Sequence, residues 1–251
     1  SGVALDVTVQ ALDLADLKSV EAAARDIEAS LKPEQSKIDF LVLNAGIMAL
    51  PKRELTAQGF EMQIGVNHFG HQHLFAQLEG LVNKPGCRTV VLSSTAHSFG
   101  SLDCDDLHFS DGRAYTPWGA YGQSKAANLV FAKAVSERLK GTGASCFSVH
   151  PGVIQTNLWR EPQGPAFLSR LPVLKNLNKL LPRLISDKSI EQGAATTLYA
   201  CLAPGIPASY PGAYLSDCNV AEVKVAELKD PNLPARLWEA TESQIAVALA
   251  K

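Results

Sequence analysis

Tyr121 and Lys125 stand four positions apart in the stretch AYGQSKAANL (120–129), which is otherwise made of small residues and amides. On a helix this spacing puts both side chains one turn apart on one face, where the ammonium can act on the phenol. Gly122, Ser124, Ala126 and Ala127 leave room for something large to come close. A free phenol of pKa about 10 is a sluggish proton partner at neutral pH, and lowering it by about three units takes roughly 4 kcal/mol. One ammonium about 4 Å away, at an effective dielectric near 20, supplies about that amount. The plain alternative is an amphipathic helix with one exposed tyrosine and one solvated lysine.

The elements that would position such a pair follow from the pattern of the chain. Short β-branched runs alternate with longer segments of helical period, the signature of βα units around a parallel sheet. The residues 7–14 (VTVQALDL) read as a strand leading into an apolar stripe at Leu17, Val20, Ala24, Ile27 and Leu31. Residues 38–46 follow as a strand apolar on both faces, from Phe40 to Leu43, as burial between two helical layers requires. A long helix is expected over 56–82, a strand over 88–94, a helix over 118–140 and a buried strand over 144–152. A helix over 187–202, a strand over 213–215 and a helix over 233–249 complete the reading. There is no internal repeat or linker, so residues 1–251 are expected to form one α/β domain with a doubly wound parallel sheet.

The 251 residues, 46% of them hydrophobic, suffice for one large core. A net charge of −2 argues against a general partner of nucleic acid or other polyanions. Five cysteines, Cys87, Cys104, Cys146, Cys201 and Cys218, show no Cys-x-x-Cys spacing and read as free thiols in a reducing compartment, cytoplasmic or organellar interior. No apolar run is long enough to span a bilayer. His68, His71 and His73 cannot all share one helix face, so no metal site is expected there.

In open α/β sheets ligands bind beyond the carboxyl ends of the strands. Polar or turn residues stand at each expected end: Asp13, Asn44-Ala45-Gly46, Ser93-Ser94 and His150-Pro151-Gly152. Together with Asn67 in IGVNHFG, Tyr121 and Lys125 in YGQSK, and the segment 150–158 (HPGVIQTNL), these residues resemble the short-chain dehydrogenase/reductase family. The similarity is closest to its retinol-dehydrogenase-like and WW-domain-oxidoreductase-like branch and covers essentially the whole chain, including the tail from 212 to 243.

The resemblance implies a Rossmann-like enzyme that moves a hydride between NAD(P)(H), NADP(H) by family analogy, and a carbonyl or alcohol. It makes Tyr121 the general acid/base, Ser94 the hydroxyl that orients the substrate oxygen, and Ser93 its structural neighbour. Lys125 would grip the nicotinamide ribose as well as acting on Tyr121, and Asn67 would hold a water that relays protons to the lysine. Asp13 and Leu14 would meet the adenine, and Asn44, Ala45 and Gly46 would pass close to the adenine ribose. Pro151, Gly152, Val153, Ile154 and Thr156 would meet the nicotinamide carboxamide. Residues 153–186 occupy the place of the substrate lid, and their leucines fit a hydrophobic carbonyl or alcohol of retinoid, steroid or lipid type. The basic residues Arg160, Arg170, Lys175, Lys179 and Arg183 among those leucines leave a peripheral membrane-surface contact open. A homodimer through the helices carrying Asn67 and Tyr121 is a further expectation from relatives.

The chain departs from the family in one respect. The glycine-rich turn that cradles the pyrophosphate is not found ahead of residues 7–14, and GTGAS (141–145) reads as a helix stop. An N-terminally incomplete enzyme is the expectation. The alternative is a catalytically silent interaction or regulatory module with this fold.

Overall fold

The computed structural model describes residues 6–32, 36–154, 188–223 and 229–251. Thr156 and all but the first two residues of the expected lid lie outside them. Helix α1 (Leu17–Ser30) starts where Asp16 accepts a hydrogen bond from the Lys18 amide, and it buries Leu17, Val20 and Ala24. Strand β1 (Phe40–Leu43) follows, then a helix in three parts: α2 (Met62–Ile64), a π-turn (Gly65–Phe69) and α3 (Gly70–Val82). Strand β2 (Arg88–Leu92) leads into a 3-10 turn (Thr95–Phe99), and α4 (Pro117–Arg138) into β3 (Ser145–His150). The remainder is α5 (Ile190–Leu202), the short α6 (Ile206–Ser209), β4 (Tyr214–Ser216), β5 (Asn219–Val220) and α7 (Leu233–Leu249).

The sheet runs β1-β2-β3-β4-β5, parallel through β4 and antiparallel at β5. Register pairs such as Val42 with Val90 and Val91 with Ser148 bring the ends of β1, β2 and β3 to one edge. Alternation along β2 decides the layers. Val91 packs with Val20, Phe75 and Phe131 under α1, α3 and α4, while Val90 and Leu92 pack with Phe147, Ala200 and Leu215 under α5. Helix α7 lies across α3 and α4, where Trp238 stacks on Phe131 at 5.8 Å and meets Phe75 edge-on. Among the described residues no helix is long and apolar enough to cross a membrane.

Three expectations are corrected. Residues 7–14 form no strand: no strand among the described residues pairs with them, and Val7 and Val9 stand 74% and 91% exposed. β1 is the sheet edge on that side, so Phe40 and Val42 are partly solvated instead of buried on both faces. The helix expected from residue 56 begins at Met62, because the Thr56 hydroxyl takes the Phe60 amide and Gly59 adopts φ +86°, closing a turn before Glu61 caps the helix.

Candidate active site

Asn67 lies inside the π-turn, and the two flanking glycines explain how that turn is seated. A Cβ on Gly65 would fall 2.4 Å from Thr56 Cγ2, and one on Gly70 would fall 2.6 Å from the Leu14 carbonyl oxygen. Gly70 thus lets the turn press on the backbone of the chain entering α1, and Gly65 lets it close on the Thr56 side chain before α2. The Asn67 amide is then held from two sides. Its Oδ1 accepts from the Ile47 amide at 2.8 Å, and its Nδ2 donates to the Ile47 carbonyl and to Ser124 Oγ, each at 2.9 Å. Ser124 in turn donates to the Tyr121 carbonyl at 2.8 Å. Both amide hydrogens of Asn67 therefore serve protein acceptors, and the side chain joins the loop after β1 to the turn carrying Tyr121.

Ser93 and Ser94 leave the end of β2 in opposite roles. Ser93 is buried and donates to the Lys125 carbonyl at 2.7 Å. The hydroxyl of Ser94 receives the Ala96 amide and is hydrogen-bonded with the Tyr121 phenol. His97, one turn on, places Nδ1 2.6 Å from the Ser94 carbonyl, which fixes that backbone.

Tyr121 and Lys125 share one face of α4, as their spacing demands. Tyr121 is buried against Met48, Ala49, Ala96 and Trp118. Burial pushes its pKa up to about 12, and the bond with Ser94 opposes that only in part. The depression anticipated from Lys125 is not present. The ammonium lies 5.8 Å from the centre of the Tyr121 ring and donates to the Leu92 carbonyl at 3.0 Å. Burial also draws the lysine down to about 8, with no ion pair to a carboxylate among the described residues. Desolvation thus outweighs the pair's attraction in the resting site.

Asn44 and Ala45 are exposed beyond β1, and Gly46 passes so close that a Cβ there would sit 2.8 Å from Asn67 Oδ1 and 3.6 Å from Lys125 Nζ. His71, one turn after Asn67, is buried beside Ala45 and Lys125 and is held down to about 3 by burial and by the lysine's charge. The three histidines have different neighbours: His68 lies by Thr241, His71 by Ala45 and Lys125, and His73 by Glu21. Pro151, Gly152, Val153 and Ile154 are half-buried at the end of β3, where Ile154 bridges to Lys188. Asp13 is exposed and its carboxylate takes the Ala15 amide, while the Leu14 side chain serves the core. Asn128 and His97 belong to this neighbourhood and were not singled out from sequence, while Ser124 was read only as a small neighbour and His71 only as one of a histidine cluster. For Asn128 a signal existed, an amide inside a helix where its propensity is poor.

The family model described as enoyl-(acyl carrier protein) reductase matches residues 3–180. Retinol dehydrogenase 11 of Mus musculus is 37% identical over 236 residues, 93% of this chain and 68% of the relative. Retinol dehydrogenase 14 of Homo sapiens is 33% identical over 246 residues, 98% of this chain and 68% of the relative. A crystal structure of an uncharacterized protein from Mycobacterium paratuberculosis superposes with a TM-score of 0.66 at 30% identity, covering 93% of this chain and 73% of that one. The KRED1-Pglu enzyme shares the fold at a TM-score of 0.55 and 21% identity, over 81% of this chain and 77% of that one. With a family model over most of the chain and relatives above 30% identity over two thirds of their length, the protein belongs to the short-chain dehydrogenase/reductase family of oxidoreductases, in its retinol-dehydrogenase-like branch.

Proposed function

We propose that the protein interconverts a carbonyl and an alcohol on a hydrophobic small molecule of retinoid, steroid or lipid type, using NAD(P)(H), with NADP(H) preferred by family analogy. The observation that carries this reading is the convergence of Ser94, Tyr121, Lys125 and Asn67 at the carboxyl edge of the sheet. The residues present fit a nicotinamide cofactor: a buried ammonium with a main-chain oxygen as its acceptor is suited to ribose hydroxyls. Asn44 and Ala45 are exposed beside it, and Gly46 has no side chain where its backbone passes Lys125. When bound, the cofactor supplies or accepts the hydride.

The rest of the chemistry belongs to the chain. Tyr121, pushed up to about 12, holds its proton at neutral pH and is ready to give it to an oxygen gaining negative charge. An alkoxide is more basic than this phenolate, so the transfer runs downhill in the reducing direction. Ser94, hydrogen-bonded with the phenol, orients the substrate oxygen beside it. Lys125 supplies positive charge to the same pocket, and Asn67 and Ser124 hold the turn of α4 that carries Tyr121. The five free cysteines fit a reducing compartment.

Reduction of a retinaldehyde and of a long-chain aliphatic aldehyde, tried with NADPH and NADH, tests the reading. We expect turnover by the parent and a loss of about a hundredfold or more in Tyr121→Phe, with the melting temperature kept. Equal turnover by the variant contradicts the role of Tyr121, and no turnover by the parent favours a silent interaction module.

A further inference from the structure

We propose that Asn128 is a positioning residue for Lys125, acting through the Leu92 carbonyl oxygen that the two side chains share, and that α7 holds Asn128 in place through His68. The inference rests on the reading of Lys125 as a working residue of the site. Leu92 ends β2, and its oxygen accepts from Lys125 Nζ at 3.0 Å and from Asn128 Nδ2 at 2.9 Å. Both donors come from one face of α4, three residues apart. Asn128 is 1% exposed, and its amide nitrogen donates to the Leu92 carbonyl.

The far side of this amide leads out of the site. The Asn128 side chain neighbours His68, whose Nε2 stands 3.1 Å from Thr241 Oγ1 on α7. Phe69 and Phe131 each meet the imidazole edge-on at 5.7 Å, so the ring has little freedom. Packing of the buried His68 beside Asn128 thus sets α7 next to the amide that shares its acceptor oxygen with Lys125.

The consequence is electrostatic. The positive end of the Asn128 amide points at the same oxygen as the ammonium, so it weakens the hold of Leu92 on Lys125 and keeps the lysine releasable toward the pocket. The groups facing Lys125 are Tyr121 on its own helix and His71 on α3, with no carboxylate paired to it among the described residues. Removing the amide leaves Lys125 as the sole side-chain donor to Leu92, which favours the charged lysine.

Lysine labelled with carbon-13 at Cε, titrated by NMR in the protein without cofactor, reads this directly, the Lys125 signal being identified by its loss in Lys125→Met. Asn128→Leu is expected to raise the Lys125 midpoint by about half a unit to one unit. Thr241→Val is expected to move it the same way by less, and Thr241→Ser, which keeps the hydroxyl, to leave it at the parent value. An unchanged midpoint in Asn128→Leu overturns the proposal. If that variant does not fold, the Thr241 pair decides, and equal midpoints for Val and Ser overturn it. Because the titration needs no turnover, an inactive parent would sink the proposed function while leaving this result readable.

Discussion

On the proposed reading Lys125 sets the pH behaviour of the site, because burial draws it down to about 8, closer to working pH than Tyr121, which burial pushes up to about 12. The proposed reduction needs a protonated phenol and a charged lysine. The phenol meets that condition throughout, and the lysine loses it as pH rises through about 8. The rate of carbonyl reduction is expected to be level from about pH 6.5 to 7.5 and to fall above about 8, with no acid limb from Tyr121. A rate that stays level to about pH 10 would contradict this assignment. The sequence disclosed the residues and their spacing, and it left the sign of the phenol's shift hidden. A Coulomb sum over two residues assumed an ammonium about 4 Å away, whereas the resting lysine is drawn to Leu92, and burial acts on both groups. A main-chain oxygen such as that of Leu92 leaves no mark in a sequence.

At the scale of elements, the π-turn between α2 and α3 is what aims Asn67 at Ile47 and Ser124. Gly70→Ala tests that seating. Its Cβ would meet the Leu14 carbonyl at 2.6 Å, and backbone cannot swing aside as a side chain can. A loss of about 1–3 kcal/mol in stability is expected, measured by urea unfolding, while Gly80→Ala, with open space around it, should cost nothing or stabilise slightly. Equal effects at the two glycines would contradict the tight seating. The helical period of α1 was legible in its apolar stripe, while the start of α4 at Pro117 is set by Thr116, whose hydroxyl takes the Gly119 amide. Residues 7–14 misled because alternation reports only a capacity to pair, and no neighbouring strand among the described residues takes it up. The start at Met62 was hidden by Thr56, whose hydroxyl caps a turn as readily as it could start a helix.

For the molecule as a whole, α7 joins the core and the site, through Trp238 against Phe75 and Phe131 and through Thr241 against His68. This arrangement fixes two neutral histidines in the interior. Burial holds His68 down to about 3, and burial with the charge of Lys125 does the same for His71, against an ordinary value of 6.5. Between those values the unfolded chain binds protons that the folded chain refuses, so stability falls as pH drops through that window. At pH 5 each histidine is expected to cost about 2 kcal/mol relative to pH 7. The melting temperature should therefore fall between pH 7 and 5, and His68→Asn should remove about half of that fall. An undiminished fall in the variant would contradict the assignment. The layered α/β order and the family were legible in the alternation of strands and helices and in five motifs in register. The covering of α3 and α4 by α7 was not, since packing partners distant in sequence carry no local signal.

The most direct test of the central claim follows the hydride itself. The protein is incubated with a retinaldehyde and NADPH or NADH carrying deuterium on the transferring face of C4, and the alcohol is analysed by mass spectrometry. Incorporation of one deuterium at the carbinol carbon by the parent, lost in Tyr121→Phe, is the predicted result. An alcohol without the label, or the same labelled yield from the variant, would contradict the account.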